Sequence, residues 1–194
     1  MSLRCFIAVN IPPDIRAAVG EAIETLRSTG ADVKWVHADN LHITLKFLGS
    51  TEDSLVGPIR DSLQKKIASS TPFYIKISGI GTFPSGRNPR VVWIGVEDRG
   101  NLTGLQEVIE GVAAEFGFPP EARPYSPHLT IGRVRSNRKA AGLLESVKGL
   151  QGRDFGGFDV RRVALVKSVL KPLGPEYSSL AEISLEGRGD VEQG

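Results

Sequence analysis

The sequence predicts an α+β fold built mainly from antiparallel sheets. About three amphipathic helical stretches are interspersed with eight or so strand-like runs, their order does not alternate strictly strand, helix, strand, and no glycine-rich phosphate loop follows the first strand as it would in a doubly wound parallel sheet. A chain of 194 residues suits one domain and can bury a sizeable core. Residues 1–186 are assigned to that domain, and the polar stretch 187–194 to a disordered tail.

Residues 4–10 read as the first strand. Pro12-Pro13-Asp14 then opens a helix, since proline fits the first turn, and Ile15, Val19, Ala22, Ile23 and Leu26 fall on one face before Gly30. That stripe needs a sheet to pack on. After a short strand near 33–36, the run 41–48 alternates as a strand does and is closed by Gly49. A second helix covers about 52–68. Leu55, Ile59, Leu63 and Ile67 have its period, Glu52 and Asp53 lie at its positive end, and Lys65 and Lys66 near its negative end. Strands near 73–80 and 90–96 flank the turn-rich loop 82–89. Asn101 is expected to cap a third helix, with Leu105, Val108, Ile109, Val112 and Phe116 on one face and Gly117 at its end. A strand over 127–134, a short helix over about 140–148, and strands near 155–160, 163–169 and 179–185 complete the chain.

Composition excludes several classes. With 24 Lys+Arg against 22 Asp+Glu the net charge is +2, so only local clusters can argue for an anionic partner. The 22 Gly and 12 Pro fall below the roughly 25–30% that marks low-complexity disorder. No apolar run approaches the roughly 18 residues of a membrane span, and the first residues hold no long apolar signal core, so a cytoplasmic protein with no membrane segment is expected. Cys5 alone cannot form an internal disulfide. One cysteine and three histidines (His37, His42, His128) fall short of a usual zinc site, and neither metal nor cofactor is expected.

The informative feature is an internal echo: His42-Ile43-Thr44-Leu45 and His128-Leu129-Thr130-Ile131 both read His, apolar, Thr, apolar. Threonine is scarce, at eight in 194, yet two of three histidines carry it two positions on. On a strand, His and Thr at that spacing share one face while the apolar pair takes the other. Two such units facing a groove suit phosphodiester cleavage, which needs one group to accept a proton from the attacking oxygen and another to supply one to the leaving oxygen. Histidine serves both roles near neutrality, and the hydroxyls can hydrogen-bond non-bridging phosphate oxygens.

In these motifs the sequence resembles the two-histidine (2H) phosphoesterase family, most closely its LigT-like branch of RNA 2′,3′-cyclic phosphodiesterases, the 2′-5′ RNA ligase family. The likeness begins at residues 4–9. It continues through Trp35-Val36, the stretch 40–49 and residues 90–93, and is most specific over 123–134, returning in 168–170 and 174–177. It implies a bilobal fold of two sheets with pseudo-twofold symmetry about a central cleft, helices on the outer faces, and one HxTx motif from each lobe. It further implies His42 as proton donor and His128 as proton acceptor, Thr44 and Thr130 on the phosphate, and an RNA 2′,3′-cyclic phosphate end as substrate, opened to a 2′-phosphate. Weak 2′-5′ ligation is implied as well.

Arg133 matches the family's arginine after the second motif, where it would neutralise phosphoryl charge. Strict alternation from His128 turns it away from the cleft unless the strand ends or bulges first. Phe47, Trp93 and Tyr125 are candidates for stacking on a base, Tyr125 foremost, although aromatic residues near strands more often serve the core. His37 reads as a solvated surface residue. Arg87, Arg90, Arg133, Arg135, Arg138 and Lys139 form either a solvated basic face or a hold on RNA backbone. Arg188-Gly189-Asp190 looks like an adhesion tripeptide and is read as accidental. Two other functions stay open: a noncatalytic module that binds RNA ends, and a phosphoesterase for another small cyclic nucleotide. A monomer is expected.

Overall fold

The computed structural model describes residues 2–172 and 174–187. Nine strands and four α-helices occur among them, in the order β1 (Ser2–Asn10), α1 (Pro13–Arg27), β2 (Val33–Trp35), β3 (His42–Glu52), α2 (Val56–Ile67), β4 (Phe73–Phe83), β5 (Val91–Glu97), α3 (Asn101–Glu115), β6 (His128–Val134), α4 (Ala140–Gly149), β7 (Asp154–Val160), β8 (Arg162–Lys171) and β9 (Gly174–Ser184). The expectations for the tail and for Arg188-Gly189-Asp190 fall outside the described residues, apart from Gly187.

All strand pairs are antiparallel, in the order β7-β4-β5-β6-β3-β1-β8-β9, with β2 beside β6. The α+β architecture is thus the one expected from sequence, and its two half-sheets are continuous through a narrow seam. Between β3 and β6 one residue pair, Ile43 with Leu129, carries the pairing. These residues hold the same place in the two motifs, so the local pseudo-twofold axis passes between them.

Helices line one face. α1 and α4 pack on the β4/β7 half, while α2 and α3 pack on the β3/β9 half. The stripe Ile15, Val19, Ala22, Ile23 and Leu26 on α1 is buried as its spacing requires, and so are Ile59, Leu63 and Ile67 on α2. One core cluster joins these residues to Ile43, Leu45, Leu129 and Ile131, so the apolar half of each HxTx motif anchors its strand to the helices.

Three local expectations are corrected. Asn101 is the first residue of α3 rather than its cap: Gly100 occupies the cap at φ 89°, and the Asp98 carboxylate accepts from the Gly100 and Leu102 amides. Gly49 does not close β3, which runs on to Glu52; at φ 67° it sits next to an irregularity in the pairing with β1. Val108 lies 38% exposed at the margin of its helical stripe.

Candidate active site

Each histidine begins a central strand. Ile43 and Leu129 face the core with no exposure, so the alternate residues His42, Thr44, His128 and Thr130 share the opposite face. Antiparallel register about the 43–129 pair sets His42 across from Thr130 and Thr44 across from His128. The two histidines then stand diagonally, at roughly 7–8 Å between backbones. The structure therefore brings all four motif residues together on one surface.

Both imidazoles are held in the same way. Nδ1 of His42 lies 2.8 Å from the Asn40 carbonyl oxygen, and Nδ1 of His128 lies 2.8 Å from that of Ser126. A carbonyl can only accept, so each Nδ1 carries hydrogen, and the lone pair of a neutral ring resides on Nε2. Each ring also meets an aromatic edge. Tyr177 stands edge-on to His42 at 5.3 Å and 87°, and Phe83 edge-on to His128 at 5.6 Å and 85°. Phe6 lies against His42 at 4.7 Å. Phe6, Ala8, Ala164 and Val166, with Tyr177 packed on them, form a small apolar cluster beneath that ring. Burial there pushes the His42 pKa below the ordinary 6.5, against the opposing effect of its bond to Asn40.

A bulge interrupts the strand just past each motif's threonine. In the ladder between β5 and β6, Trp93 pairs with Thr130 but Val92 pairs with Gly132, leaving Ile131 as the extra residue. Ile131 and Gly132 are both buried, and Arg133, paired with Val91, returns to the face of Thr130. The exposed Arg133 is also near enough to Tyr177 to act on its phenol, whose pKa is raised by burial and lowered by the charges of Arg133 and Arg4. Strict alternation thus gives the wrong face for Arg133, because the strand bulges first. The first motif repeats the device: Ala8 pairs with Thr44 and Ile7 with Lys46, so Leu45 is the extra residue. Lys46 turns into the core and Phe47, 55% exposed, returns to the cleft side against Phe6 at 6.2 Å.

Tyr125 does not join the four motif residues. Its ring packs partly buried against the core, and its hydroxyl donates to the Thr44 carbonyl at 3.2 Å. Trp93 lies over Gly81, where a methyl group would overlap the indole, and Phe83 stacks on it at 5.0 Å. Its Nε1 is buried with no hydrogen-bond partner among the described residues. Phe83, 42% exposed, is the aromatic ring beside His128. The sequence offered no local signal for Phe83. Phe6 and Tyr177 lay inside the stretches that carry the family likeness. His37 is exposed on its loop, near Asp39 at 3.5 Å, and stands outside the cluster.

Residues 11–171 match the 2′-5′ RNA ligase superfamily. The chain belongs to that superfamily. A protein of Methanothermobacter thermautotrophicus named RNA 2′,3′-cyclic phosphodiesterase is 38% identical over 93% of this chain and 97% of its own length. The crystal structure of TT0787 of Thermus thermophilus superposes with a TM-score of 0.79 at 31% identity, covering 96% of this chain and all of that one. E. coli LigT, in its complex with 3′-AMP, shares the fold at a TM-score of 0.74 and 24% identity over 95% of this chain and 99% of its own. Superfamily membership agrees with the resemblance drawn from the HxTx motifs. Among the described residues, no helix is long and apolar enough to cross a membrane.

Proposed function

We propose that this protein hydrolyses RNA ends bearing a 2′,3′-cyclic phosphate to 2′-phosphomonoesters, with two histidines as acid and base and no metal. The observation that carries the reading is the paired fixing of Nδ1 on His42 and His128 by carbonyls two residues upstream, which leaves two Nε2 atoms as the working groups of one surface. The names of its relatives support the substrate. The proton transfers are assigned to the imidazoles, whose Nε2 atoms are the ring nitrogens left free on that surface.

In this mechanism His128 Nε2 accepts a proton from water as its oxygen attacks phosphorus. His42, protonated on both nitrogens, passes its Nε2 proton to the departing 3′ oxygen, and the phosphate remains on the 2′ oxygen. Thr44 and Thr130 donate to the non-bridging oxygens, and Arg133, brought round by the bulge, offsets the charge that builds on them. An RNA 5′-hydroxyl entering in place of water would form a 2′-5′ linkage through the same groups, as a weak side reaction.

The test is incubation of an oligoribonucleotide ending in 2′,3′-cyclic phosphate with the protein in excess EDTA, with the product identified by phosphorus NMR. Conversion to a 2′-phosphate is expected, falling by about 10²–10⁴-fold in His42→Ala and in His128→Ala. An intact cyclic phosphate with wild-type protein would sink the reading. Turnover in the absence of EDTA alone would replace the histidine mechanism with a metal-assisted one.

A further inference from the structure

The described arginines of this molecule fall into two groups. Arg16, Arg27, Arg60, Arg153, Arg161 and Arg162 each meet a carboxylate at 2.7–3.3 Å. Arg4, Arg87, Arg90, Arg99, Arg123, Arg133, Arg135 and Arg138 are exposed and form no ion pair among the described residues. Five of these eight, Arg87, Arg90, Arg133, Arg135 and Arg138, lie where β6 ends and the loop before β5 turns back. Neighbouring cations left without counterions repel one another, so such a grouping favours an anion that bridges them.

An open pocket lies within that group, lined by Asn88, Arg90, Arg135, Ser136 and Asn137 with Pro89 and Val134. Its walls are tied together. The Val134 amide donates to the Arg90 carbonyl at 2.9 Å, the Arg90 amide to the Phe83 carbonyl at 2.7 Å, and Asn137 Nδ2 to Asn88 Oδ1 at 2.9 Å. The nearby Asp32 carboxylate is engaged by the Ser136 hydroxyl at 2.7 Å. The lining thus offers two guanidinium groups and amides but no aromatic surface, a set that suits phosphate oxygens rather than a nucleobase.

The pocket lies past the end of β6 that follows the second motif. Arg133 lies on the face of Thr130, Arg135 follows two residues on, and Arg135 is five residues from Thr130, roughly 16 Å along an extended chain. A mononucleotide with its phosphate at the threonines does not reach that far, whereas an oligonucleotide does. We propose that this pocket is a subsite for the phosphodiester backbone of RNA upstream of the reacting end. The inference rests on the proposed function only for placing the reacting end at the two histidines.

The test measures binding of a fluorescein-labelled single-stranded oligoribonucleotide of about ten nucleotides, ending in a 3′-hydroxyl, by anisotropy across a salt series. Each phosphate contact on a single strand contributes about 0.7 to the slope of log K against log salt, so Arg90→Gln/Arg135→Gln should flatten the slope by about 1.4. A variant of equal charge, Arg161→Gln/Arg162→Gln, alters paired arginines at the β7–β8 turn and should keep the wild-type slope. An unchanged slope in the pocket variant, an equal loss in the control, or no binding by wild type would overturn the proposal. Because this RNA cannot turn over, the outcome is separate from that of the hydrolysis assay.

Discussion

A ring whose Nδ1 is committed to a carbonyl oxygen can exchange protons only through Nε2, and this holds at both His42 and His128. The two rings differ in their surroundings. His42 sits among Phe6, Val166 and Tyr177, and that burial favours its neutral form in the free protein. As the proposed acid it must carry a proton at the chemical step, and the negative charge of a bound phosphate raises its pKa again. The sign is therefore fixed. In kcat/KM, which reports the free protein, activity should decline as pH rises through a His42 value below the ordinary 6.5; in kcat, which reports the complex, that decline should move to higher pH. Both profiles can be measured on the cyclic-phosphate oligonucleotide. Coincident basic limbs would show that substrate charge does not act on His42. The four motif residues were legible in the sequence because a period of two fixes their face. The face of Arg133 was left open, since the likeness set it at the phosphate while strict alternation turned it away, and the extra residue at Ile131 that inverts the period has no local signal.

The segment between α3 and β6 delivers Ser126 and His128 to the cleft, and it is pinned to β3 at two points. Tyr125 donates to the Thr44 carbonyl at 3.2 Å, and Lys46 donates to the Pro119 carbonyl at 2.7 Å and to Glu110 at 2.8 Å. Lys46 is 2% exposed, and Gln106 holds the other Glu110 oxygen at 2.9 Å. A buried ammonium endures only where its donors are all met, and removing one member of such a pair strands the other. Lys46→Met should lower the stability by about 3 kcal/mol, the low end for a broken buried pair because Glu110 keeps some contact with water. Urea denaturation with an unchanged m value would check this, and a loss under about 1 kcal/mol would mean the pair is not relied upon. The helices and most strands were readable from their apolar periods. Strict alternation from Thr44 would set Lys46 on the cleft side, and only the bulge at Leu45 explains its inward turn.

At the scale of the molecule, a half of four strands, β3-β1-β8-β9, and a half of five, β7-β4-β5-β6 with β2, meet at one backbone pair, which would suggest lobes that unfold separately. Chain topology argues the reverse. The half β3-β1-β8-β9 is assembled from both ends of the chain, while β7-β4-β5-β6 comes from its middle. α1 leaves β1 of the first half to pack on β7 of the second, and α3 leaves β5 of the second to pack on β3 of the first. Arg153 on the approach to β7 reaches Glu21 of α1 at 3.0 Å, and Ile15 lies close against Gly156. With helices exchanged and one core cluster shared, neither half retains its apolar cover without the other. A single cooperative transition is expected. The chain supplies its own probe, since both tryptophans, Trp35 on β2 and Trp93 on β5, belong to the half built around β6. Fluorescence therefore follows that half, and far-ultraviolet circular dichroism follows the whole. Their urea midpoints should coincide. Fluorescence changing before or after the dichroism would show that the halves separate, and that the diagonal placing of His42 and His128 is held by the 43–129 seam alone.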